Sequence, residues 1–138
     1  MSWLRPALCA LLVSGCASAP WQEAACPLPG ETRQLRVELY FGLDRPRGPA
    51  LSEAEWRDFV AREVTPRFPD GLSELDMGGQ WRDRVSGRIG REPSRLLLLI
   101  TPPAPDLAAR IEAIRSTYRR RFDQQSVGVS SAPVCAGF

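Results

Sequence analysis

From Arg33 onward, Leu35, Val37, Leu39 and Phe41 alternate with Arg36, Glu38, Tyr40 and Gly42. That period of two predicts a strand with one buried face. Asp44 to Pro49, rich in Pro, Gly and Arg, reads as a turn. Ser52-Glu53-Ala54-Glu55 then forms a capping box, with Leu51 and Trp56 placed as a hydrophobic staple. Trp56, Phe59, Val60 and Val64 follow at helical spacing, and Pro66 and Pro69 end the helix. A second strand is predicted over Gly71 to Met77, with Gly78-Gly79 as a bulge or bend. Gln80-Trp81-Arg82 continues it toward a hairpin tip near Ser86-Gly87. Arg95 to Thr101 is a third strand, apolar on both faces through Leu96 to Ile100. Beyond Pro102, Pro103 and Pro105, Asp106 is placed to cap a second helix with Leu107, Ile111, Ile114, Tyr118 and Phe122 on one stripe. A last strand covers about Ser126 to Val134.

The order strand, helix, strand, strand, helix, strand is the split pattern of the ferredoxin-like fold: an α+β sandwich in which two helices cover one face of a four-stranded antiparallel sheet. A strand apolar on both faces calls for cover on both. The open face would carry alternate leucines of the third strand, with Tyr40 and Trp81 nearby, and a patch of that kind marks a partner or ligand site. A homodimer through the open sheet face is the expected cover, with the long hairpin or the upstream segment folding back as alternatives.

Upstream of the first strand the pattern changes. Arg5 supplies a positive n-region and Ala7 to Gly15 a mostly apolar stretch, too short for a spanning helix of roughly 20 residues. Val13-Ser14-Gly15-Cys16 resembles the bacterial lipobox, in which the Cys is acylated and becomes the first residue of the mature protein. Cleavage after Ala17-Ser18-Ala19 is the competing reading. Each buried methylene of an acyl chain contributes about 0.8 kcal/mol, and more than one chain gives stable anchoring. Residue 17 is Ala rather than Asp, which points to the periplasmic side of an outer membrane where the cell has one. The chain therefore divides into a lipoprotein signal peptide (1–15), a lipidated Cys16 with a Pro-rich tether (16–32) and one α+β domain (33–138), exported and membrane-anchored in the cell envelope.

Composition narrows the chemistry. The 138 residues hold no His, Lys or Asn, so imidazole catalysis, imidazole-based zinc sites, Schiff-base chemistry and the phosphate-loop lysine are all excluded. No cofactor and no metal site is expected, and no catalytic residue is assigned. Loss of Arg5 with the signal leaves 17 of the 18 basic residues against 16 acidic ones, and export with near-neutral charge makes nucleic acid no partner. Of four cysteines, Cys9 lies in the signal and Cys16 takes the lipid. Outside the cytosol, Cys26 and Cys135 then form a disulfide, the alternative being two free thiols. Topology agrees, because the last strand of this fold ends beside the beginning of the first.

One polar group of residues stands near structural punctuation: Arg67 and Asp70 in the Pro-rich connection, Gln80, Trp81 and Arg82 after the glycine pair, and Glu92 before Pro93, with Tyr40 on the open face. It reads either as an Arg–carboxylate brace with Trp81 packed beneath it, or as a pocket with an aromatic floor for a small polar envelope ligand. A non-catalytic binding or interaction domain is the expected function. The alternative is a small hydrolase using Asp70 and Glu92 for glycoside-type acid–base chemistry.

Several stretches carry a resemblance. They are Leu39-Tyr40-Phe41-Gly42-Leu43, Ser52-Glu53-Ala54-Glu55-Trp56, Val64-Thr65-Pro66-Arg67-Phe68-Pro69-Asp70-Gly71-Leu72, Gly79-Gln80-Trp81-Arg82, Glu92-Pro93-Ser94, Arg121-Phe122-Asp123-Gln124-Gln125-Ser126-Val127 and Pro133-Val134-Cys135. Together, from about Val37 to Cys135, they resemble the exported bacterial family catalogued as domain of unknown function 3574. The resemblance implies an exported, often lipid-anchored protein and implies no activity.

Overall fold

A computed structural model describes residues 25–138. The predicted signal and Cys16 lie outside these residues. Four strands and two helices run in the order β1 (Thr32–Gly42), α1 (Glu53–Phe59), β2 (Ser73–Arg82), β3 (Ile89–Thr101), α2 (Leu107–Phe122) and β4 (Gly128–Ala136), and a π-helical turn at Val60–Val64 extends α1. The sheet is antiparallel with strand order β2-β3-β1-β4. This is the ferredoxin-like arrangement that the alternation and helix stripes predicted.

Pairing sets Val37, Leu39 and Phe41 of β1 opposite Leu99, Leu97 and Arg95 of β3, so one face of both central strands is apolar and turns toward the helices. Trp56 and Phe59 of α1 and Ile111, Ile114, Tyr118 and Phe122 of α2 close over it in one core cluster. Its aromatic rings meet edge-to-face, Phe41 on Tyr118 at 4.6 Å and on Trp56 at 5.2 Å between centroids. Such pairs add about 0.5–1.5 kcal/mol each beyond area burial. The capping box forms as expected: the Ser52 hydroxyl accepts from the Glu55 N–H at 3.3 Å and the Glu55 carboxylate accepts from the Ser52 N–H at 3.0 Å. Leu51 and Trp56 are both buried behind it.

Cys26 and Cys135 are joined, their Cα atoms 5.6 Å apart, beside the pairing of Arg33 with Cys135. The free-thiol alternative gives way. Among the described residues no helix is long and apolar enough to cross a membrane.

Three expectations are corrected. Gly78-Gly79 forms no bulge, since the β2–β3 ladder runs unbroken from Ser73↔Leu98 to Arg82↔Ile89. β3 begins at Ile89 rather than Arg95 and passes straight through Pro93. The Pro93 carbonyl accepts from the Leu43 N–H at 3.0 Å, so its imide nitrogen also turns toward β1, whose ladder has ended at Gly42↔Ser94. No β2–β3 hydrogen bond is therefore lost. Asp106 occupies the N-cap position of α2 without a capping bond from its side chain, which instead pairs with Arg110 at 3.3 Å.

The open face carries Leu96, Leu98 and Ile100 of β3, all half-buried, flanked by Leu75 of β2, which stays 46% exposed. Toward the end of this face, where β1 finishes, the side chains change from apolar to polar and aromatic.

Candidate functional site

At that end lies a cavity of about 270 Å³. Its floor is the open face of the sheet, and three connections wall it: Asp44 and Arg45 after β1, Arg82 to Arg84 at the tip of the β2–β3 hairpin, and Asp123 to Ser126 between α2 and β4. Tyr40, Trp81 and Glu92 line it from the three longest strands.

Each of these three side chains rests on a glycine. A Cβ at Gly42 would stand 2.7 Å from the Glu92 carboxyl carbon, one at Gly79 2.6 Å from the Trp81 indole nitrogen, and one at Gly128 3.1–3.4 Å from the Tyr40 side chain. Any larger residue at Gly42 or Gly79 would displace the group above it. Gly79, one of the pair that read as a bend, is thus a steric vacancy in a straight ladder, filled by the Ser94 hydroxyl and the indole two positions on, while Gly78 meets nothing.

The polar partners are uneven. The Tyr40 hydroxyl donates to Glu38 at 2.6 Å, and the Ser130 hydroxyl donates to the same carboxylate oxygen at 2.8 Å. Trp81 Nε1 is buried without a hydrogen-bond partner among the described residues; an orphaned buried donor costs about 1–3 kcal/mol. Glu92 accepts from the Asp44 N–H at 3.0 Å, and no Arg among the described residues pairs with it. Burial pushes its carboxyl above the ordinary range; the Asp44 N–H bond works against that shift and the Asp44 charge adds to it. Behind Gly42, on the helix side, the Tyr118 hydroxyl donates to the Gly42 carbonyl at 2.8 Å, and burial together with the Glu92 charge pushes that phenol up.

The walls are tied to one another. Asp123 closes α2 in the left-handed region at φ 54°, which turns Gln124 and Gln125 toward the cavity. The Gln124 amide donates to the Asp44 carbonyl. The Gln125 amide donates to Asp83 at 2.5 Å, and the Arg84 N–H donates to its oxygen at 3.0 Å. Bonds from the Ser86 N–H, the Ser86 hydroxyl and Gln125 hold Asp83 at a pKa of about 2.

Of the polar residues singled out from the sequence, Tyr40, Trp81, Arg82 and Glu92 come together here. Gln80 faces the other side of the hairpin, where it accepts from Arg91 Nε at 3.1 Å. Arg67 lies beside the N-terminal half of α2, where its carbonyl accepts from Arg110, and it pairs with Glu63 rather than with Asp70. Asp70 precedes β2 at the opposite end of the sheet. Ser73 pairs with Leu98, and Glu92 pairs with Gly79 six residues further along β2, which is about 20 Å at the rise of a strand. Carboxylates that share a glycosidic bond stand roughly 5–9.5 Å apart, so Asp70 and Glu92 do not form such a pair. The residues missed from the sequence are Gly42, Gly128, Asp44, Gln124 and Gln125. Gly42 had a legible signal, two positions beyond Tyr40 on the same strand face; Gly128 meets Tyr40 only through the β1–β4 register, and the glutamines had none.

Residues 36–138 match the model of a family described as a protein of unknown function, DUF3574. The chain belongs to the DUF3574 family. No curated protein matches it. Among solved structures, a phage SAM lyase in complex with S-methyl-5'-thioadenosine aligns with a TM-score of 0.61 at 17% identity, over 76% of this chain and 90% of that one. A phage SAM lyase in its apo state aligns at 0.55 and 17%, over 83% and 96%. CutA from Synechococcus elongatus PCC7942 aligns at 0.49 and 16%, over 78% and 83%. At these identities the DUF3574 chain shares the fold of the lyase. Its cavity stands on its own residues.

Proposed function

We propose that this DUF3574 chain is a non-catalytic binding protein of the cell envelope, held at the membrane by acylated Cys16 and a tether over 16–32, with residues 33–138 taking up a small polar ligand. One observation carries the reading: the part-buried Glu92 carboxylate lines a cavity beside Trp81 and Tyr40 with no arginine among the described residues paired to it, and the buried Trp81 Nε1 next to it lacks a hydrogen-bond partner there. Protein interiors rarely leave such groups unpaired without a role for them. The Cys26–Cys135 disulfide supports an oxidising compartment. The lyase that holds S-methyl-5'-thioadenosine supplies a first probe for a chain of this fold. Titration of the protein with that compound, and with a panel of small envelope metabolites, is read by tryptophan fluorescence and by midpoint shift; a ligand at 100 times its Kd stabilises by about 2.7 kcal/mol. A response that disappears in Trp81→Leu supports the cavity as the site. The anchor is tested by intact mass of membrane-extracted protein, in which acyl chains on Cys16 are expected and Cys16→Ser releases the domain.

The half-exposed Leu75 beside Leu96 and Leu98 favours a second reading for the rest of the open face, pairing with a second copy. Light scattering across a wide concentration range reads it directly.

A further inference from the structure

We infer that the ligand is a small organic cation, its charge set against Glu92 and its apolar surface against the rings of Trp81 and Tyr40; this rests on the cavity being a binding site. The cavity contains arginines, yet none neutralises this carboxylate. Arg45 is committed to Glu55 at 2.6 Å and lies over the Phe122 ring at 5.6 Å. Arg91 is committed to Gln80. Arg82 and Arg84 stand exposed at the mouth. The unpaired negative charge that faces the floor is therefore Glu92, which the Asp44 N–H holds by one hydrogen bond while the Asp44 charge adds a second negative group close by. An anionic ligand group placed on that floor would meet two like charges.

Aromatic faces beside an unpaired carboxylate are a matched pair of attractions for an organic cation, since the ring quadrupole and the carboxylate both favour positive charge. Trp is the strongest such ring, and Gly79 lets its indole lie down on the strand. A weakly hydrated cation also leaves water at lower cost than a metal ion. Among the described residues no cluster of three metal-ligating side chains stands anywhere, so a bare metal ion would find at most Glu92 with Asp44 beside it. Volume sets the scale: about 270 Å³ falls at the small end of ligand pockets, which fits a methylated or primary ammonium group with a short tail.

The probes are choline and its uncharged isostere 3,3-dimethylbutan-1-ol, with glucose as a neutral hydroxyl donor, each titrated calorimetrically into the full-length protein and into Glu92→Gln. The variant keeps the side chain's shape and an oxygen for the Asp44 N–H. Choline is expected to bind at least tenfold more tightly than the isostere and than glucose, and to lose that margin in Glu92→Gln while the isostere binds both proteins alike. Equal binding of choline and isostere to the natural protein would overturn the cation assignment and leave the binding site standing. Preferential binding of glucose would overturn it in favour of a neutral polyol. If none of the three, nor any compound of the metabolite panel, perturbs the protein, the binding reading and the cation assignment fall together.

Discussion

The two faces of the sheet use the same side chains to opposite ends. On the helix face, Trp56 donates its indole N–H to Glu74 at 2.7 Å, and Arg95 lies over the same indole at 5.4 Å while pairing with Glu53 at 2.5 Å and Asp76 at 2.8 Å. Burial alone would weaken the Arg95 charge, and its three carboxylates more than offset that. Tryptophan, carboxylates and arginine there form one connected set of ion pairs and a hydrogen bond, with Arg95 Nε held by charge alone. On the open face the set is incomplete: among the described residues Trp81 has no acceptor and Glu92 no arginine, and the arginines of the cavity are committed elsewhere or stand at its mouth. A structural brace looks like the first arrangement, and a binding site looks like the second. Sequence alone could not separate them, because both consist of a Trp, an Arg and acids close to glycine or proline.

The difference can be broken at several strengths. The largest effect belongs to the far end of the sheet. The Cys26–Cys135 bridge spans 109 residues, and its loss in a Cys26→Ser, Cys135→Ser variant lowers unfolding free energy by about 4 kcal/mol in the chain-entropy view. Arg33, which pairs with Cys135, and Gly42 lie nine residues apart on β1, about 30 Å along the strand. Ligand affinity should therefore be unchanged. Denaturant unfolding alongside calorimetric titration measures both.

Next comes the pair of tryptophans. Trp56 is 1% exposed at the centre of the aromatic cluster, and Trp56→Ala should cost about 3–5 kcal/mol. Trp81→Ala should cost about 1 kcal/mol or less, because removing the indole also removes its orphaned N–H, yet it should abolish ligand binding. Urea melts of the two variants order them, and equal costs would erase the distinction between the faces.

Where local pattern decided the structure, the fold was readable. Alternation marked β1, the Ser52–Glu55 box marked the start of α1, and the five-residue stripe marked α2. Topology then placed Cys26 against Cys135. The misreadings share a cause. Gly78-Gly79 reads as a bend from its own backbone freedom, whereas Gly79 is small on account of Trp81 and Ser94, and β3 runs through Pro93 because its imide nitrogen faces away from β2. Asp70 was grouped with Glu92 because both adjoin prolines, but the direction of β2 carries them to opposite ends. Tyr40, Trp81 and Glu92 were readable as polar or aromatic positions near glycines. Gln124 and Gln125 were not, since their placement depends on the left-handed turn at Asp123.

The smallest effect in energy is the most decisive. Glu92 faces Asp44 from the β1–α1 connection and Tyr118 from α2, with Arg45 and Arg91 in the walls. Its carboxyl is raised in the folded protein, so the folded state binds that proton more tightly than the unfolded chain. Stability then falls as pH rises from the ordinary carboxylate range through the raised value, and above both the ionised group is a standing penalty. The melting temperature of Glu92→Gln at pH 7, set against the natural protein, is therefore the direct measurement. If Glu92 belongs to a site, the variant melts at the same temperature or about 1–3 °C higher, and the two curves converge at acid pH where the natural residue is protonated. A melting temperature several degrees lower, as expected for Glu74→Gln under Trp56 and Arg95, would make Glu92 a brace and contradict the account.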